Sequence, residues 1–208
     1  MRVRWRGAAL VLFLVVGATT AGALTPSLAS AAGPAKSYIA EFSQGAGSAR
    51  VGIVVQDGRF KAYVCSLDED FNLQYARWYE GKVGADGAIR KTSPDGVTFQ
   101  AKVSGDEFTG QVTDAKKVAL PFSGGVVAAG TDHIGLYRGE SRVSGKPVLI
   151  GAVIDQDGTF ASTTQFVGKI RFVTPVKDTP TYLGDKHLAV FLGTEEVPYV
   201  AALVTKLA

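Results

Sequence analysis

The sequence predicts an all-β fold, an antiparallel meander that closes into a barrel or a partly open barrel. Three observations carry this. Apolar and polar residues alternate with a period of two over several stretches, the pattern of a half-buried antiparallel sheet. Turn signals recur roughly every eight to twelve residues. No long stretch has the 3.6-residue period of a helix. A β-sandwich is the alternative; closure is preferred because it removes exposed sheet edges.

The chain opens with an address. MRVRWRG carries Arg2, Arg4 and Arg6, followed by the apolar run AALVLFLVVGA and the small residues SLASAAGPA. Basic, apolar, then small is the order of a secretory signal peptide. The unbroken apolar run falls short of the roughly 20 residues that span a bilayer. Ala29-Ser30-Ala31 fits the A-x-A rule, which places cleavage after Ala31. The segment has no cysteine for a lipid anchor and no paired arginines for the twin-arginine route. It also carries the charge excess. The chain has 22 Lys+Arg against 19 Asp+Glu, and the three arginines of residues 1–31 make the difference. Residues 32–208 are balanced, so the basic pI is no argument for nucleic acid.

After a flexible start at 32–36, residues 37–208 read as a single all-β domain. Strands are expected near 37–43, 49–56, 59–66, 74–83, 87–93, 97–103, 107–113 and 118–122, then near 134–138, 147–155, 159–173, 181–183, 187–192 and 198–206. The first hairpin is ARVGIVVQDGRFKAYVC. Asp57-Gly58 between apolar runs signals a two-residue turn with positive φ at both positions. That register sets Gln56 opposite Arg59, Val55 opposite Phe60, Ile53 opposite Ala62 and Val51 opposite Val64. One face is then wholly apolar. The other holds Gly52, Val54, Gln56, Arg59, Lys61, Tyr63 and Cys65, and is read as the wet face from Lys61, with Cys65 the residue expected to be buried. In the middle of the chain, Val97, Phe99, Ala101 and Val103 alternate with Thr98, Gln100 and Lys102, and Phe108 and Val112 alternate with Glu107, Thr109, Gln111 and Thr113. Residues 66–73, SLDEDFNL, and 126–132 are the two places for a helical turn. The Gly- and Ala-rich region 123–132 is the place where two sheet halves would join.

QDG returns in DQDGTF, residues 155–160. No two-residue register separates apolar from polar there. Asp155 and Asp157 suggest a calcium loop, but the distal Glu that such a loop needs is missing. Turn chemistry is the better reading.

The residues that could carry chemistry are few. Cys65 is the single cysteine, so no internal disulfide forms, and its strand setting predicts a buried thiol. His133 and His187 follow Asp132 and Asp185 closely, which leaves a hydrolase using Asp132/His133 or Asp185/His187 as a remote alternative. No G-x-S-x-G elbow supports it, and two histidines are too few for zinc. No catalytic residue, metal or cofactor is expected. The acidic run Asp68-Glu69-Asp70 reads as a solvated loop. The candidate binding residues are Tyr75, Arg77 and Tyr79, which would share the exposed face of one strand while Trp78 points to the core.

AYVC, then Trp78 and Gly81, a DG hairpin, alternating strands, Pro121-Phe122 and Gly135-Leu136-Tyr137-Arg138 resemble a β-rich module of uncharacterised exported or cell-envelope proteins of actinobacteria, over about residues 45–160. The resemblance implies an all-β fold and an exported location, and assigns no catalytic residue. The stretch SLDEDFNLQYAR is longer than the tight turn of that pattern, and residues 161–208 have no counterpart in it.

The leading expectation is an exported, non-catalytic β-module that binds a protein partner or an envelope component, with no nucleic acid and no transmembrane segment after cleavage. The alternative is a carrier of a small apolar ligand, in a barrel cavity left by Ala62, Ala101 and Gly110. Intact-mass analysis of the protein from its host's culture medium and envelope is expected to give a chain starting at Ala32, within about two residues. A mass that retains residues 1–31 in both fractions would refute the cleaved signal.

Overall fold

Two antiparallel sheets are built from the predicted alternation. A computed structural model describes residues 33–43, 47–128, 131, 133–167, 173–176, 179–191 and 198–207. The proposed signal segment, Asp132 and residues 168–172 lie outside them. The first sheet has eight strands: β1 (Lys36–Phe42), β2 (Arg50–Gln56), β3 (Arg59–Cys65), β4 (Arg77–Lys82), β5 (Ala88–Thr92), β6 (Thr98–Ser104), β7 (Glu107–Thr113) and β8 (Ala119–Val126). Their order, β4-β3-β2-β1-β8-β7-β6-β5, wraps them into a nearly closed barrel with its seam between β4 and β5. The second sheet is a half-barrel of β9 (Gly135–Val143), β10 (Lys146–Ile154), β11 (Phe160–Phe166), β12 (Val173–Pro175), β13 (Thr181–Gly184), β14 (His187–Val190) and β15 (Tyr199–Leu203). Its order is β12-β11-β10-β9-β15-β14-β13. The chain passes from one sheet to the other between β8 and β9, within the region expected to join two halves.

The first hairpin has the expected register, residue for residue, from Gln56↔Arg59 to Val51↔Val64. Asp57 and Gly58 both take positive φ, 49° and 69°. The second QDG turn is a different object. Asp155 N–H donates to Thr159 O and Gly158 N–H to Asp155 O, so the loop is longer by a residue. The same pair of bonds closes the loops at 84–88, 93–97 and 114–118. The repeated letters therefore reflect shared turn residues on two geometries, which is why a two-residue register failed for the second copy. Its carboxylates are engaged: Asp157 accepts from Thr159 N and Oγ1, which hold its pKa down, and Asp155 pairs with Arg50.

The barrel interior is filled by aromatic rings. Phe99 stacks on Tyr79 and Phe122 at centroid distances of 5.0 and 5.6 Å, and on Phe60 at 6.3 Å. Tyr38, Phe108, Phe42 and Phe71 extend the cluster. The small residues expected to leave a cavity make room for these rings instead. A Cβ on Gly110 would lie 2.6 Å from the Phe122 ring.

The face of β2–β3 expected to be wet is covered. Gly52, Val54, Tyr63 and Cys65 are buried, because the second sheet lies on the outside of the barrel there. Leu136, Val153 and Ala161 meet Ile39, Val54, Tyr63 and Cys65 in one apolar cluster. Burial pushes the Cys65 thiol pKa up, and its S–H donates to Ala161 O, so the cysteine is structural. Tyr63 lies against the backbone of Gly151, where a Cβ would sit 2.1 Å from its ring. The buried Arg50 pins the same junction. Its Nη2 reaches Glu41 at 3.0 Å and Thr159 Oγ1 at 3.1 Å, and its Nε lies 3.2 Å from Asp155.

Two glycines separate two mechanisms. Gly58→Ala is expected to cost about 1 kcal/mol, since only positive φ is at stake and nothing lies within 4 Å. Gly151→Ala is expected to cost more, about 2–4 kcal/mol, because Tyr63 must move. Equal losses in chemical denaturation would refute the close approach of the sheets.

Candidate functional site

The residues expected to form a contact face do not share an exposed one. Asp68 caps a short helix, α1 (Glu69–Tyr75), by accepting from Phe71 N, so Tyr75 ends a helix rather than starting a strand. This is the helical turn expected at 66–73. Tyr75 is buried against Phe71. From β4 onward the alternation holds with the faces exchanged. Arg77 and Tyr79 point inward, and Tyr79 joins the barrel core. Trp78 points outward but is half covered by the second sheet, stacked on Tyr63 at 4.3 Å. The strand period gives which residues share a face; the pairing of Tyr79 with Ala62 and of Arg77 with Val64 decides which face is inside.

Arg77 works as a clamp. Its Nη1 donates to Ala76 O at 2.7 Å and its Nη2 to Leu73 O at 3.2 Å, which satisfies carbonyls at the end of α1. Its Nε and Nη2 also hold Asp95, in the β5–β6 turn. The pair thus bridges the barrel seam. Burial raises the Asp95 pKa, but the hydrogen bonds from Arg77 and Ser93 and the Arg77 charge outweigh it and hold the carboxyl at about 2.

The two histidines stand on different segments. His133 is exposed, with its ring 6.2 Å from Tyr182. His187 begins β14, and Asp185 sits in the preceding turn at positive φ. Among the described residues, no three His, Cys, Asp or Glu side chains gather as a metal site. No helix among them is long and apolar enough to cross a membrane.

The feature that sequence reading missed is a groove of ≈ 780 Å³ on the second sheet. β9 and β10 each run nine residues, against seven for β2 and β3, and their hairpin end outruns the barrel wall that covers the rest. The register sets Arg138 opposite Gly151, Glu140 opposite Leu149 and Arg142 opposite Pro147. Arg138, Glu140 and Arg142 therefore form a charged wall, and Leu149, Pro147 and Val167 an apolar floor beside it. Arg138 closes the inner end, with its guanidinium carbon 5.6 Å above the Trp78 ring and its Nη2 2.6 Å from Glu140. Arg142 donates to Gly145 O at the outer end. The signal for this site was Ser144-Gly145, whose two-residue turn fixes the β9–β10 register. Ending the strand at 138 hid the ladder.

No family model matches the chain, and no curated protein is similar to it. A solved structure of a protein provisionally assigned as AttH from Nitrosomonas europaea is similar over 77% of this chain and 78% of that one, at 8% identity and a TM-score of 0.23. So low a likeness carries no argument here.

The Asp95 pKa lies below its ordinary value of 3.8, so the Arg77 clamp stabilises the fold above that pH and is lost as pH falls toward 2. Asp95→Asn is expected to be less stable than the parent at neutral pH, with the gap closing between pH 4 and pH 2. Thermal melts across that range check it; a gap that persists at pH 2 would assign the loss to packing.

Proposed function

We propose that this chain is an exported, non-catalytic β-module, and that it binds an envelope component or a protein partner through the groove of the second sheet. The groove carries this reading. It sets a charged wall beside an apolar floor, the mixture typical of binding sites, in a volume within the usual range of roughly 300–1,000 Å³. The barrel interior supports it from the other side, since aromatic rings occupy the space that a carried ligand would need. Export rests on the order of residues 1–31 and on the resemblance to exported actinobacterial modules.

The chain is expected to co-sediment with the envelope fraction of its own host. Arg142→Glu and Leu149→Asn are each expected to lower the bound amount several-fold while the melting temperature changes little for the exposed Arg142. Binding that is undiminished in both variants would move the contact away from the groove.

A further inference from the structure

We infer that the groove takes a single-chain anionic amphiphile, an unbranched apolar chain that ends in a carboxylate. This rests on the reading of the groove as the binding site and names its ligand class.

Charge places the head. The wall carries two arginines and one glutamate. Glu140 is matched by Arg138 at 2.6 Å. Arg142 makes no ion pair among the described residues, and its Nη1 serves only the neutral Gly145 O. The groove therefore has one uncompensated positive charge, at its outer end, with guanidinium donors left for a carboxylate. The opposite charge would find no free carboxylate in the wall, because Glu140 already has its partner.

Shape places the tail. From Arg142 the floor runs over Pro147 and Val167 to Leu149, and it ends at Arg138 beside Trp78. Arg142 and Arg138 are four residues apart on one strand, about 14 Å at the strand rise, which an extended chain of about ten carbons spans. Val167 is 56% exposed, an apolar side chain left open to water on this floor. A bare anion would leave it uncovered. A neutral chain would leave Arg142 unmatched.

Trp78 is a built-in reporter. The chain has two tryptophans, Trp5 and Trp78, so full-length Trp5→Phe protein reports from Trp78 alone. We would titrate it with decanoate below its micelle concentration, following heat and Trp78 emission together. One saturating site is expected in both signals. Arg142→Gln should weaken it about tenfold, the scale of one charge-assisted contact, and Arg142→Lys should restore most of the affinity. Decyltrimethylammonium, with the same chain and opposite charge, should bind at least about tenfold more weakly, and acetate, the head without the chain, should not saturate. The inference is overturned if decanoate gives no saturable signal, if the cationic amphiphile binds equally, or if Arg142→Gln leaves affinity unchanged. Groove-dependent co-sedimentation without decanoate binding would sink this ligand class alone. Loss of both would sink the groove reading as well.

Discussion

The close approach of two sheets at Gly151 is the constraint on which the rest depends. A sheet normally shows one face to water, and the outer face of β2–β3 would do so if the barrel stood alone. Instead the Tyr63 ring lies on bare backbone at Gly151 and stacks on Trp78. Gly52 plays the matching part on the barrel, where a Cβ would sit 2.9 Å from Val153. Removing side chains at these points lets the layers interlock, and it makes β2 and β3 core strands on both faces. The thiol of Cys65 and the phenol of Tyr63 are buried for the same reason, and burial pushes both pKa values up.

Buried arginines hold what apolar packing cannot. Arg50 joins β1, the chain before β2 and the loop between β10 and β11, so it ties the sheets together at one edge of the junction. Arg77 ties the end of α1 to the β5–β6 turn across the open seam. A long side chain with five fixed donors can satisfy carbonyls and a carboxylate at once, which suits places where strands end and backbone groups lack partners. Arg77 reads as a binding group in the sequence, and it is structural because its guanidinium nitrogens already serve the end of α1 and Asp95.

The groove is the complement of that junction. Where the barrel wall covers the second sheet, the shared face carries Leu136, Gly151 and Val153. Past the end of the cover, the same face carries Arg138, Glu140 and Arg142 with Leu149 and Pro147. One strand face thus changes from core to site along its length.

The sequence by itself determined most strands and turns, and the inward-facing pattern of β2, β3, β6 and β7 but not of β4. Those are local matters: period-two alternation and turn residues act within a few residues of one another, whereas the acidic run Asp68-Glu69-Asp70, read as a solvated loop, caps and opens α1. It also determined the first hairpin's register, since Asp57-Gly58 admits a two-residue turn and a slip would mix the faces. Tertiary structure alone decided which faces were covered. Tyr63 and Lys61 share one face of β3, yet Tyr63 is buried and Lys61 half-buried, because the second sheet overlies only part of it. Tyr79 turned inward because β4 pairs it with the inward-facing Ala62, while the partial cover of the second sheet made Trp78 an interface residue and left the charged ladder of β9 as the wall of a groove. Alternation states that two faces differ; it cannot state what a sheet a hundred residues away will place against either of them.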